Sequence, residues 1–135
     1  MGILIEKKIQ ISFGNKAECV VEHLVIGACE QMHIGEEKFG NILLAVTEAV
    51  DNAIEHGNKN NPNKIIELGY QSSPQKITFA VTDEGQGFDV RNITDPTNIE
   101  NSGNAGRGIL IMKMLSDKLE FLSERKTVLL SFNLN

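Results

Sequence analysis

Three polar side chains recur at four-residue spacing inside an otherwise apolar stretch. They are Glu48, Asn52 and His56 in NILLAVTEAVDNAIEHGN, residues 41–58. A carboxylate can take a proton, an amide oxygen can meet a hard cation, and an imidazole can contact an anion when it is charged. On a helix, four residues advance the side chain by about 40° beyond one full turn, so all three project from one side. Such groups are costly to take out of water unless something uses them. An amphipathic helix whose polar edge meets solvent gives the same pattern. The row alone therefore does not separate a site from a surface, and the glycines further along carry the distinction.

Gly85 and Gly87 follow directly on an apolar run, and Gly103, Gly106 and Gly108 come directly before another. Turn chemistry accounts for any one of them. Two glycine clusters flanking one polar segment point to a backbone kept bare so that a ligand can approach. A helix start near Gly106–Gly108 would offer unpaired N–H groups and the positive end of a dipole, which suits phosphate. The common nucleotide loops are excluded. No GxxxxGK[ST] occurs, and Val90 stands where the third glycine of GxGxxG belongs.

The elements that must position these residues follow from periodicity. Alternating apolar residues predict a strand over 3–13, a turn at Gly14-Asn15, and a helix to about Met32 with Asn15 and Glu18 at capping-box spacing. Gly35 breaks that helix. A second begins near Glu36 and runs through the polar row, with Gly57 expected to stop it in a left-handed conformation. NKNNPN, residues 58–63, cannot continue a helix. Residues 64–71 and 76–82 read as strands joined through SSPQ. Residues 89–105 show no hydrophobic period and are long for a plain connection, which predicts a mobile functional loop or lid. A third helix is expected over 108–115, and a hairpin of 118–123 and 127–134 closes the chain. The order β-α-α-β-β-α-β-β predicts an α/β two-layer sandwich, with a mixed, mostly antiparallel sheet and three helices on one face. The 135 residues read as a single domain.

The net charge of −5 argues against nucleic acid or an anionic membrane as the main partner. No apolar run is long enough to span a bilayer, and MGILIEKKIQ lacks a signal-peptide pattern, so the expected compartment is the cytoplasm. Cys19 and Cys29 each precede a histidine by four residues. The two pairs lie about 15 Å apart along one helix and cannot close on one ion. Two small buried thiols are expected instead.

The motifs resemble those of a known family. Glu48-Ala49-x-x-Asn52-Ala53-x-x-His56 matches the N box of the GHKL superfamily of ATPases and kinases, the Bergerat ATP-binding fold. Asp83-x-Gly85-x-Gly87-Phe88 matches its first glycine box, and Gly103-x-x-Gly106-x-Gly108 its second. Thr127 sits where that family has a threonine near the adenine. Spacing, order and predicted elements agree over residues 36–134. The short chain, the lid (89–105) and the GRGILIMKMLSD helix look most like bacterial anti-sigma factors that are also serine-protein kinases. That resemblance implies ATP and Mg²⁺, a sigma factor and an antagonist (anti-anti-sigma) protein as partners, and a homodimer among the states allowed.

The residues fit that chemistry. Asn52 offers a hard amide oxygen to Mg²⁺, which takes few protein ligands. Glu48, one turn earlier, can accept a proton from an attacking hydroxyl. Asp83 can accept from the adenine amino group and would oppose the guanine carbonyl, selecting ATP over GTP. The resemblance makes His56 a phosphate contact. Arg107 suits phosphate or a protein partner. Two functions stay open: a serine kinase that also sequesters a sigma factor, or a nucleotide-gated binding module without phosphotransfer.

Overall fold

The computed structural model describes residues 5–12, 16–84, 99–122 and 126–134. Among them five strands form one sheet: β1 (Ile5–Ser12), β2 (Ile65–Ser72), β3 (Lys76–Thr82), β4 (Lys118–Leu122) and β5 (Thr127–Asn133). Their order is β1-β2-β3-β5-β4, and each of the four pairings is antiparallel. Three helices accompany them: α1 (Ala17–Gln31), α2 (Glu36–Asn52) and α3 (Ile99–Leu115). The α/β sandwich expected from the sequence is present, with a sheet antiparallel at every described pairing.

Strand periodicity sorts the sheet into two faces. Phe79 pairs Tyr70 on one side and Leu130 on the other, and Leu130 in turn pairs Leu119. Ile77 with Phe132 and Val81 with Val128 extend this apolar face, and Phe79 meets Phe132 edge-on at 6.2 Å between ring centroids. On the other face the β3–β5 pairs Thr78–Ser131 and Thr82–Thr127 bond through their hydroxyls, at 2.9 Å and 2.7 Å, on either side of the apolar pair Ala80–Leu129. A register slip of one residue would exchange the faces, so the pattern pins the pairing.

Helix α2 lies between α1 and α3 and reaches β3 and β5. Its buried residues are Ile42, Ala45, Val46, Ala49, Val50 and Asn52. The valines and Ile42 each contribute about 1.5–3 kcal/mol by leaving water, while the alanines let neighbouring elements approach. Glu36 and Glu37 in its first turn favour the positive end of the helix.

Several boundaries differ from the sequence reading. Helix α1 is capped by Lys16 in a left-handed conformation (φ 53°) without a side-chain bond, and Asn15 lies outside the described residues. Helix α3 starts at Ile99 rather than at Gly108. Its first two turns, IENSGNA, lack the apolar stripe by which a helix is recognised. Of the segment 89–105, residues 99–105 are therefore helical, and 89–98 lie outside the described residues. Cys29 is buried, which pushes its thiol up to about 11, but Cys19 is exposed. It falls on the outer side of α1, away from the stripe formed by Val21, Leu24, Val25 and Ala28.

The largest difference is the end of α2. After Asn52 the helix widens into a π turn, Ala53–Gly57, closed by a bond from the Asn58 N–H to the Ala53 carbonyl (2.8 Å). Gly57 does not take a left-handed conformation; Lys59 (φ 54°) and Asn60 (φ 58°) do, and they turn the chain. Gly57 is needed for space, as the site shows.

Candidate functional site

Asn52 is the last residue of α2, 3% exposed. Its side-chain Nδ2 is buried and finds no hydrogen-bond partner among the described residues. Most buried amide groups are satisfied, and leaving one unmet costs about 1–3 kcal/mol. The amide lies against the backbone of Gly108 in α3. A Cβ there would fall 2.6 Å from Asn52 Nδ2 and 3.1 Å from Glu48 Oε2. Glu48 and Asn52, one turn apart on α2, thus converge on a single bare position of α3. Glu48 and Asn52 on the one hand and Gly108 on the other, far apart in sequence, meet in the fold.

A second close approach lies at the π turn. A Cβ on Gly57 would fall 2.4 Å from Asp83 Oδ2. Asp83 is 5% exposed and sits just past the end of β3, with its N–H donating to the Lys126 carbonyl at 3.1 Å. Thr127, at the start of β5, shares a 2.7 Å hydroxyl contact with Thr82, the neighbour of Asp83. A chain of close contacts therefore runs from Gly108 to Glu48 and Asn52, along the π turn to Gly57, and on to Asp83 and Thr82–Thr127.

His56 follows Asn52 inside the π turn. His56 is exposed, and its Nε2 lies 3.7 Å from Glu55 Oε2. Gly106 is buried and Arg107 exposed, both inside α3. Gly103 is also within α3. Because α3 begins at Ile99, the N–H groups of Gly106–Gly108 belong to the helix's own ladder, and the unpaired N–H groups belong to its first turn. The phosphate argument from a helix start at those glycines thus falls away. What Gly108 offers is close approach. Gly85 and Gly87 lie outside the described residues.

The charge around α2 is acidic. Asp51 faces a cavity of about 660 Å³ lined also by Lys16, Glu18, Ile54, Glu55 and Asn60. Burial, then repulsion from Glu48, Glu18 and Glu55, raises the Asp51 carboxyl to about 6. A cation near Glu48 would relieve part of that repulsion.

Sequence reasoning missed Asn58. It is 4% exposed and bonds through both ends of its amide, Nδ2 to the Ile65 carbonyl (3.0 Å) and Oδ1 to the Glu84 N–H (2.8 Å). In sequence it is one asparagine among four in NKNNPN, where turn chemistry explains all of them.

Comparison with known proteins identifies the family. The profile of the histidine kinase-like ATPase domain matches residues 20–132. An anti-sigma F factor of Thermoanaerobacter pseudethanolicus is 33% identical over 118 residues, spanning 83% of this chain and 81% of the relative. One from Clostridium botulinum is 27% identical over 128 residues, spanning 91% and 90%. The serine-protein kinase RsbW of Oceanobacillus iheyensis is 25% identical over 101 residues, spanning 70% and 64%.

Proposed function

This chain belongs to the histidine kinase-like ATPase family, whose fold implies ATP binding, and on that premise we propose that it is an ATP-dependent serine-protein kinase acting as an anti-sigma factor. The observation that carries the proposal is the convergence of Glu48 and Asn52 on Gly108. A buried amide and a half-buried carboxylate facing a position where no Cβ fits are a poor structural choice. They are a sound one for a site that must admit a phosphate chain and its cation.

The residues fit Mg²⁺. Asn52 supplies an oxygen donor from an amide that is buried and whose nitrogen is unmet among the described residues, and Glu48 adds negative charge one turn away. Mg²⁺, when bound, neutralises charge on the phosphates of the nucleotide. The rest is the chain's own work. Asn52 would hold the cation through its amide oxygen. Glu48 would take the proton from the hydroxyl of an incoming serine. Asp83, fixed at the end of β3, would accept a hydrogen bond from the adenine amino group, with Thr127 beside it. His56 and Arg107, both exposed, are placed to meet phosphate only if the bound state brings it to them, so we give them the lesser role.

The partners follow from the relatives. Two of those described above are named anti-sigma F factors and one a serine-protein kinase. We assign this chain a sigma factor as the bound partner and an antagonist protein as the phosphorylated one, both in the cytoplasm. No described helix is long and apolar enough to cross a membrane.

The test is incubation of the protein with labelled ATP, Mg²⁺ and a candidate antagonist protein. Label on an antagonist serine is the expected result. ATP-dependent capture of the antagonist with no label transferred overturns the kinase and leaves a nucleotide-gated binding module.

A further inference from the structure

We propose that Asn58 is a positioning residue that sets nucleobase selectivity by holding Asp83 in place, an inference that rests on the adenine role given to Asp83 above. The β2–β3 ladder ends at the pair Glu67 and Thr82. Continued by two residues, its register would set Ile65 opposite Glu84. Those two backbones do not bond directly. The Asn58 amide stands between them, donating to the Ile65 carbonyl at 3.0 Å and accepting from the Glu84 N–H at 2.8 Å. The Glu84 side chain closes the ring, its Oε1 accepting from the Ile65 N–H at 2.7 Å. A side-chain amide thus replaces a peptide group of the sheet, and β3 leaves β2 by the width of one amide.

That departure takes Asp83 to the π turn. Asp83 is held from one side by its N–H to the Lys126 carbonyl and from the other by Glu84, the next residue, pinned to Asn58. Its carboxylate rests against Gly57, the residue before Asn58. Asn58 is itself fixed, because its N–H closes the π turn on Ala53 and its carbonyl accepts from the Asn61 N–H at 3.1 Å. The end of α2, the start of β2 and the end of β3 therefore share one pin. Asparagine alone suits it. Aspartate lacks the donor for the Ile65 carbonyl and would stand near Asp83 and Glu84 as a third carboxylate. Alanine leaves a buried carbonyl and a buried N–H without partners.

The consequence is a change in selectivity, which a merely structural residue would not cause. A loosened Asp83 loses its hold on the 6-amino group of the base but leaves the Glu48–Asn52–Gly108 end intact. ATP and inosine triphosphate differ at that group, a 6-amino against a 6-oxo, and carry the same triphosphate. Affinities of the full-length protein for both, with Mg²⁺, are read by calorimetry. The wild type is expected to prefer ATP by about tenfold or more, the worth of one hydrogen bond gained and one repulsion avoided. In Asn58→Ala the ratio should fall toward one, chiefly through weaker ATP binding. In Glu84→Ala, an exposed residue whose loss leaves the Asn58 bonds in place, the ratio should fall about two- to threefold. Equal wild-type affinities would remove the adenine role of Asp83, and this inference with it. A wild type that discriminates, with Asn58→Ala keeping the same ratio, would show that Asn58 is structural only and overturn the inference alone. If Asn58→Ala does not fold by circular dichroism, Asn58→Asp, which keeps the acceptor for the Glu84 N–H and loses the donor to the Ile65 carbonyl, decides the question, and an unchanged ratio there is the overturning result.

Discussion

Gly108→Ala is the sharpest perturbation of the site, because one methyl group tests whether the meeting of α2 and α3 serves binding. The added carbon would stand 2.6 Å from Asn52 Nδ2 and 3.1 Å from Glu48 Oε2. Carbon–nitrogen contacts settle nearer 3.5 Å, so the Asn52 amide must move by roughly 1 Å. It is 3% exposed and has little room to do so. Two effects oppose each other in stability. Overpacking costs about 1–3 kcal/mol. Replacing glycine by alanine inside a helix returns about 1 kcal/mol. The net destabilisation should be about 0–2 kcal/mol, and the protein should remain folded. Binding has no such compensation. A displaced Asn52 loses its bond to the cation, worth about 1.5–3 kcal/mol for a charged partner, or roughly ten- to a hundredfold in Mg-ATP affinity. Calorimetry reads the affinity and thermal unfolding the stability. Gly27→Ala is the control, since a Cβ at that exposed position of α1 meets nothing within 4 Å; it should gain about 0.5–1 kcal/mol and leave binding unchanged. A Gly108→Ala protein that binds Mg-ATP as tightly as wild type would refute the reasoning, because Asn52 would then have moved without consequence.

Three further outcomes are expected. Asn52→Ala should lower Mg-ATP affinity and phosphotransfer together, whereas Glu48→Ala should keep nucleotide binding and lose about 10²–10⁴-fold in phosphotransfer; wild-type phosphorylation of the antagonist by Glu48→Ala would remove its role as base. Gly57→Ala drives a carbon to 2.4 Å from Asp83 Oδ2 and should weaken ATP more than inosine triphosphate, by about tenfold, as read by competition with a fluorescent nucleotide; equal weakening of both would place Asp83 outside base recognition. Asp51→Asn should stabilise the protein above pH 6 and have little effect near pH 4. The folded carboxyl titrates at about 6 against 3.8 when unperturbed. The folded state therefore holds the extra proton between those values, and stability falls as pH rises through that window. Discounted for partial exposure, the gain at pH 7.5 is about 1–2 kcal/mol, measured by urea unfolding at both pH values; a pH-independent gain would contradict the repulsion from Glu48, Glu18 and Glu55.

Much of the fold was legible because its signals are periodic and local. The alternation in KITFAVT gave β3 its bounds, and the spacing of Ile42, Val46, Ala49 and Val50 gave α2 its buried face. The start of α3 was not legible. IENSGNA contains two asparagines, a serine and a glycine, all of which favour turns in isolation. The packing of Ile109 and Met112 into the core holds the helix whose first turns the sequence disguises. Cys19 was misjudged for a related reason: cysteines are buried on average, but the helix face decides each one.

The site divides the same way, and the division is physical. Glu48 and Asn52 could be paired from spacing alone because both lie on regular helix. The parts of Gly57 and Asn58 could not be read that way, because the α-helix gives way to a π turn after Asn52, and nothing in AIEHG announces the change. π turns concentrate where a chain must aim groups that an α-helix would misdirect. Here the turn carries Gly57 against Asp83 and presents Asn58 to the ends of β2 and β3. A regular helix through Gly57 would turn Asn58 away from the sheet. The chain keeps the contacts around Asp83 at the expense of a regular helix. Motif spacing therefore pairs Glu48 with Asn52, while the surroundings of Asp83 depend on contacts between π turn, β2 and β3 that no local pattern records.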